Sequence, residues 1–193
     1  MSIGTHQKLA IAAGALSAVV ASSASAAVID FTYSGVASGQ WLNGLYSGQS
    51  FTNKAFTITA RSLTELVTPY SDGYKTNTSG ATVTIEGYGL FAVTSETAVW
   101  VGNTFGRSGF GIRNSSDILS LGDSSFDTWN MQSSLGPITR TGVFAGGNLW
   151  TTGGAVRFSG STAMTFTATV VPAPSAAALI GLVGAVGARR RRA

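Results

Sequence analysis

Apolar and polar residues alternate along several short stretches of this chain. Ile29, Phe31 and Tyr33 alternate with Asp30, Thr32 and Ser34. Phe56 and Ile58 alternate with Thr57 and Thr59, and Val83 and Ile85 with Thr82, Thr84 and Glu86. Nearer the C-terminus, Met164, Phe166, Ala168 and Val170 alternate with Thr165, Thr167 and Thr169. A period of two marks a strand with one buried face. Threonine suits the outward side, because it is β-branched yet polar. Further strands are predicted over 90–94, 98–101, 109–113, 148–151 and 155–158, with glycine-rich breaks between them. One helical turn is predicted in "SSFDTWNMQSSLGP", capped by Ser124 or Ser125. Short strands at this spacing predict an all-β fold over residues 27–170: a single antiparallel β-sandwich, jelly-roll-like. No internal repeat or domain boundary divides it.

Both ends depart from that alternation. Residues 1–26 carry Lys8, then an apolar run from Leu9 to Ala21, then Ala24-Ser25-Ala26. A basic start, a short apolar core and a small-x-small site describe a secretory signal peptide, removed by signal peptidase. The mature chain is expected to begin at Ala27 or Val28. At the other end, residues 171–193 read "VPAPSAAALIGLVGAVGARRRRA". Pro172 and Pro174 stop the last strand. The apolar run that follows includes Ala176, Leu179, Ile180, Leu182, Val183 and Val186. As a helix, its 13 residues cover about 20 Å, against a hydrocarbon core of about 30 Å, so flanking residues or local thinning must make up the difference. Arg189, Arg190, Arg191 and Arg192 resist translocation and act as a stop. The fold is thus expected to be flanked by an N-terminal signal helix and a C-terminal apolar helix.

Val171-Pro172-Ala173-Pro174, a short apolar helix and a terminal arginine cluster together resemble the PEP-CTERM sorting signal. Proteins of that class also carry a signal peptide. The resemblance implies recognition by an exosortase-like protease-transpeptidase of the membrane, in bacteria that make extracellular polysaccharide. The chain departs from the usual motif at Ala173, where glutamate is the rule. The body, with "FTYSGVASGQWLNGLYSGQSFTNKAFTITA", is similar in style to β-sandwich domains found above such tails. What the resemblance implies is a protein of the cell envelope, outer surface or extracellular matrix, held at least transiently in the inner membrane. A permanent single-span anchor is the alternative for the tail.

Charge and chemistry narrow the function of the body. The whole chain carries a formal charge of +4, but from Val28 to Val170 seven basic and eight acidic residues leave −1. The basicity lies in the arginine tail, so a nucleic-acid partner is not expected. The chain has no cysteine, and its one histidine, His6, falls in the signal segment. Triads, Cys-His nucleophiles and ordinary zinc sites are thereby excluded from the mature body, and no cofactor or enzymatic activity is expected. A carboxylate hydrolase would need two of the eight acids to converge.

Two binding sites are conceivable. Asp117, Asp123 and Asp127 in "DILSLGDSSFD" offer oxygens to Ca²⁺, though their spacing matches no EF-hand. Trp41 and Tyr46, beside Asn43 and Gln49, form a possible sugar-stacking pair. The expected role is therefore structural or adhesive, with a carbohydrate-binding module of the polysaccharide matrix as the alternative.

Overall fold

A computed structural model describes residues 26–172. Ala24 of the expected signal segment, Ala173 and Pro174 of the expected sorting motif, the apolar run from Ala176 and Arg189 to Arg192 lie outside the described residues. Thirteen strands are present: β1 Val28–Trp41, β2 Ser50–Leu63, β3 Thr68–Tyr70, β4 Gly73–Asn77, β5 Gly80–Ile85, β6 Gly89–Ala92 and β7 Thr97–Gly102. They continue with β8 Arg107–Ile112, β9 Asp117–Gly122, β10 Leu135–Phe144, β11 Asn148–Thr151, β12 Gly154–Ser159 and β13 Ser161–Val171. The other regular elements among the described residues are four short 3-10 turns. No helix there is long and apolar enough to cross a membrane.

All strand pairs are antiparallel and belong to one hydrogen-bonded network, in the order β3-β4-β7-β8-β9-β10-β13-β1-β2-β5-β6. β1 is the spine. Its first half pairs with β13, from Val28↔Val171 to Gly35↔Met164, and its second half pairs with β12. Sequence periodicity dictates the buried face here. Ile29, Phe31, Tyr33, Phe56, Ile58, Val83, Ile85, Met164 and Phe166 all point into one core, and the threonines between them point outward. The outward hydroxyls pair with one another across strands, Thr59 with Thr82 at 2.7 Å and Thr139 with Thr165 at 2.8 Å.

The network curls until distant strands face each other. Tyr33 on β1 stands 6.4 Å from Phe110 on β8, ring to ring, although three strands separate β1 from β8 in the sheet order. The Tyr33 hydroxyl is 3.0 Å from Ser108 Oγ, and that hydroxyl donates in turn to the Trp100 carbonyl at 3.1 Å. Burial pushes the Tyr33 phenol's pKa well above its ordinary value. The buried pair thus satisfies two polar groups inside an apolar core.

Four strands escape the alternation rule for identifiable reasons. In β4 the inward residue is Thr76, buried against the Ser62 hydroxyl at 2.6 Å, so no apolar period is visible. β3 contains Pro69 and sits at the sheet's edge, where a missing N–H is tolerated. β9 buries the adjacent Ile118 and Leu119, next to a register shift opposite Phe110 and Gly111. In β10 one inward position is Gly142, whose side-chain space is filled by Met164 of β13.

The helical turn predicted near residue 124 is a 3-10 turn, Ser124–Phe126, and Asp123 caps it rather than either serine. Asp123 Oδ1 accepts the Ser125 N–H at 2.8 Å, and Oδ2 pairs with Arg140 Nε at 2.8 Å. Ser125, and after it Arg140, hold the Asp123 carboxyl below its ordinary pKa. A depressed folded pKa adds stability above the unfolded value of about 3.9, and that stability is lost as pH falls through the folded value. Asp123→Asn is therefore expected to unfold more easily than the wild type near neutral pH. Urea titrations near neutrality and at about pH 2 should show that gap closing in acid. A gap that persists at low pH would rule out ionised Asp123 as its source.

Candidate functional site

The expected sugar-stacking pair is not on the surface. Trp41 closes β1 and is 0% exposed. Its ring lies 5.1 Å from Phe91, 5.3 Å from Tyr46 and 5.8 Å from Tyr88. Tyr46 is half-buried, and its hydroxyl donates to the Tyr88 carbonyl at 3.3 Å. Asn43 Oδ1 accepts the Ala155 N–H at 2.7 Å, so it braces the loop onto β12. These residues form an aromatic plug at one end of the core. Aromatic rings bury large areas, and this loop folds inward to bury one. The expectation of an exposed Trp41–Tyr46 platform is overturned by that burial.

The three aspartates proposed for calcium do not converge. Asp117 accepts the Trp100 Nε1–H at 2.9 Å, Asp123 is committed to Ser125 and Arg140, and Asp127 lies beside Gly106. Among the described residues, no group of three or more acidic or histidine side chains is placed to hold a metal ion. Three other acids are also engaged locally. Asp30 and Arg61 form a bidentate pair at 2.6 and 2.8 Å, Glu86 accepts the Ala55 N–H at 3.0 Å, and Glu96 meets Arg113 at 3.0 Å.

Two open hollows occupy opposite kinds of surface. One, of about 670 Å³, lies over the threonine face of β1, β2 and β5, between the Asp30–Arg61 pair and Val93. Thr59 and Thr82 satisfy each other there, Ser79 donates to the Arg61 carbonyl, and no aromatic ring lines it. The other, of about 300 Å³, lies over β4, β7 and β8 and contains Tyr70, Lys75, Asn77, Trp100 and Asp117. Trp100 also borders a further hollow with Phe105 and Arg107.

On β7, Trp100 is an outward-facing aromatic. Val99 and Val101 beside it are fully buried, so alternation turns Trp100 outward, where it is half-buried. Its cross-strand partners are Lys75 on β4 and Gly109 on β8. The indole covers Gly109: a Cβ there would come within 2.5 Å of Cε2. A glycine facing a tryptophan on an outer sheet face is the signal that marks such a seat, visible only once the strands are paired. The Nε1–H bond to Asp117 fixes the ring from a second direction. The nearby Tyr70 hydroxyl is also committed, donating to the Val101 carbonyl at 3.1 Å. No protein-family model, curated protein or solved structure matches this chain.

Proposed function

We propose that this is an exported protein of the cell surface or extracellular matrix, with a structural or adhesive rather than enzymatic role. Its body is read as a β-sandwich of jelly-roll type, and its last 23 residues as a sorting signal for an exosortase-like transpeptidase. The observation that carries this reading is the order of Val171-Pro172-x-Pro174, an apolar run and four arginines, in a chain that opens with a signal-peptide pattern. Each part has a physical task. The prolines end the sheet, the apolar run enters the membrane, and the arginines stop it there.

The attachment points favour the same reading. Val28, near the expected mature start, pairs directly with Val171, the first residue of the motif. Both processing segments therefore join the domain at one place, and both cuts would fall just outside the two central strands. Val171 is 47% exposed, and Pro172 is exposed beside it. A protease can approach that junction without opening the core. Cuts before Val28 and after Val171 leave every paired residue of β1 and β13 in the sheet.

Mass spectrometry of the protein from membrane, surface and medium fractions tests this. The surface form is expected to start at Ala27 or Val28 and to end between Val171 and Ser175. An intact Arg189–Arg192 terminus in the mature membrane form would replace sorting with a permanent anchor. A retained N-terminal segment would overturn export by signal peptidase.

A further inference from the structure

We propose that Trp100 is the stacking platform of a saccharide-binding site for an acidic pyranose, a sugar ring bearing a carboxylate. The inference does not rest on sorting of the tail, since it concerns an outer face of the folded domain.

Preorganisation is the first argument. An exposed tryptophan would normally lose rotamer freedom on binding a ligand. Here the ring is already held, by the Gly109 backbone beneath it and by Asp117 at its N–H. The ordering cost is met by folding. What remains open is an aromatic surface between two hollows. The face of an indole is electron-rich and attracts the weakly positive C–H bonds on the flat side of a sugar.

The rim supplies hydrogen-bonding groups. Asn77 and Asn114 are both exposed at the hollow, and their amides have no protein partner among the described residues. An amide offers donors and an acceptor, which matches the dual character of sugar hydroxyls. Few polar groups around one aromatic surface is the usual composition of a small-molecule site.

Charge selects the kind of sugar. Arg113 is paired with Glu96, and Asp117 keeps its negative charge while one of its oxygens accepts the indole N–H. Lys75 and Arg107 make no ion pair among the described residues. Lys75 stands directly across from Trp100 on β4, while Arg107 borders the hollow on the other side with Phe105, which is 68% exposed. A quaternary ammonium ligand, which would also favour an aromatic face, is disfavoured by these cations. A carboxylate on the stacked ring, or on the next sugar along a chain, meets them favourably.

Titration of the full chain in detergent with alginate and with polygalacturonate tests the site, with dextran as the neutral control. The readouts are intrinsic tryptophan fluorescence and calorimetry. Both polyuronates are expected to bind and to perturb the fluorescence, more weakly as salt rises, while dextran binds at least about tenfold less well. Trp100→Ala is expected to weaken polyuronate binding about tenfold or more. The double substitution Lys75→Gln with Arg107→Gln should weaken it several-fold and flatten the salt dependence. These two residues are exposed, so that variant keeps the test alive even if Trp100→Ala folds poorly. Failure of both polyuronates to bind overturns the proposal, as does unchanged binding in both variants. Dextran binding equal to that of the polyuronates would overturn the selection for acid.

Discussion

Replacing Phe166 by alanine is expected to destabilise the domain by about 3–5 kcal/mol. Phe166 is fully buried on β13, which lies between β10 and β1 in the middle of the sheet. Its ring is 5.0 Å from Tyr33, 5.3 Å from Phe126 and 5.6 Å from Trp129. It therefore ties the sheet's spine to the segment after β9, which has little regular structure of its own. Truncation removes apolar transfer energy and leaves a cavity that three rigid rings cannot easily fill. Against a usual total of about 5–15 kcal/mol, that loss is severe. Urea unfolding should show a much lower midpoint, with Phe166→Leu falling between alanine and wild type. A Phe166→Ala loss below about 1 kcal/mol would mean that these rings do not pack as described.

Trp41→Ala is expected to cost a similar amount, about 3–5 kcal/mol. The ring is fully buried between Tyr46, Tyr88 and Phe91, and so plugs one end of the core. Its Nε1–H is buried without a hydrogen-bond partner, which itself opposes folding. Trp41→Phe keeps an aromatic ring and removes that unpaired donor, so it should cost clearly less than alanine. The pair of variants separates a core role from a binding role. Thermal or urea unfolding should rank Trp41→Ala far below Trp41→Phe, while Trp41→Phe leaves polyuronate binding unchanged. Trp100 should behave in the opposite way, with a modest effect on unfolding and a large one on binding. If Trp41→Ala were as stable as wild type, the buried plug would be wrong.

Trp41 and Trp100 show how far local pattern reaches. Trp41 sits in "SGQWLNG", whose glycines and polar neighbours read as an exposed loop. Yet it ends a strand that turns its ring inward over Tyr46. Trp100 sits in "TAVWVG", which reads as a buried strand, and its ring lies on the outer face. In that strand Thr97, Val99 and Val101 compete with Ala98, Trp100 and Gly102 for the inside. Both sets contain apolar residues, so alternation alone does not choose. The choice is made by what each set meets. Val99 and Val101 join the core that includes Phe110, whereas Trp100 finds a glycine across the strand and a carboxylate for its N–H.

The three aspartates weighed as a calcium candidate stay apart for a related reason. Asp117, Asp123 and Asp127 are close in sequence, but β9 carries the chain away between the first and second. A strand extends by about 3.3 Å per residue, so six residues separate the acids far more than a helix or tight loop would. Each then found a different neighbour. Proximity along the chain becomes proximity in space only where the backbone turns.

By itself the sequence determined the all-β character of the body. It also determined the inward set over residues 29–34, 56–60, 81–86 and 164–170, because there one parity is apolar and the other is threonine, serine or charge. The tertiary structure alone decided how β1 binds both β12 and β13, which brings Val28 beside Val171. It also decided which tryptophan is structural and which faces outward. Those outcomes depend on contacts between residues far apart in the chain, where no local period carries information.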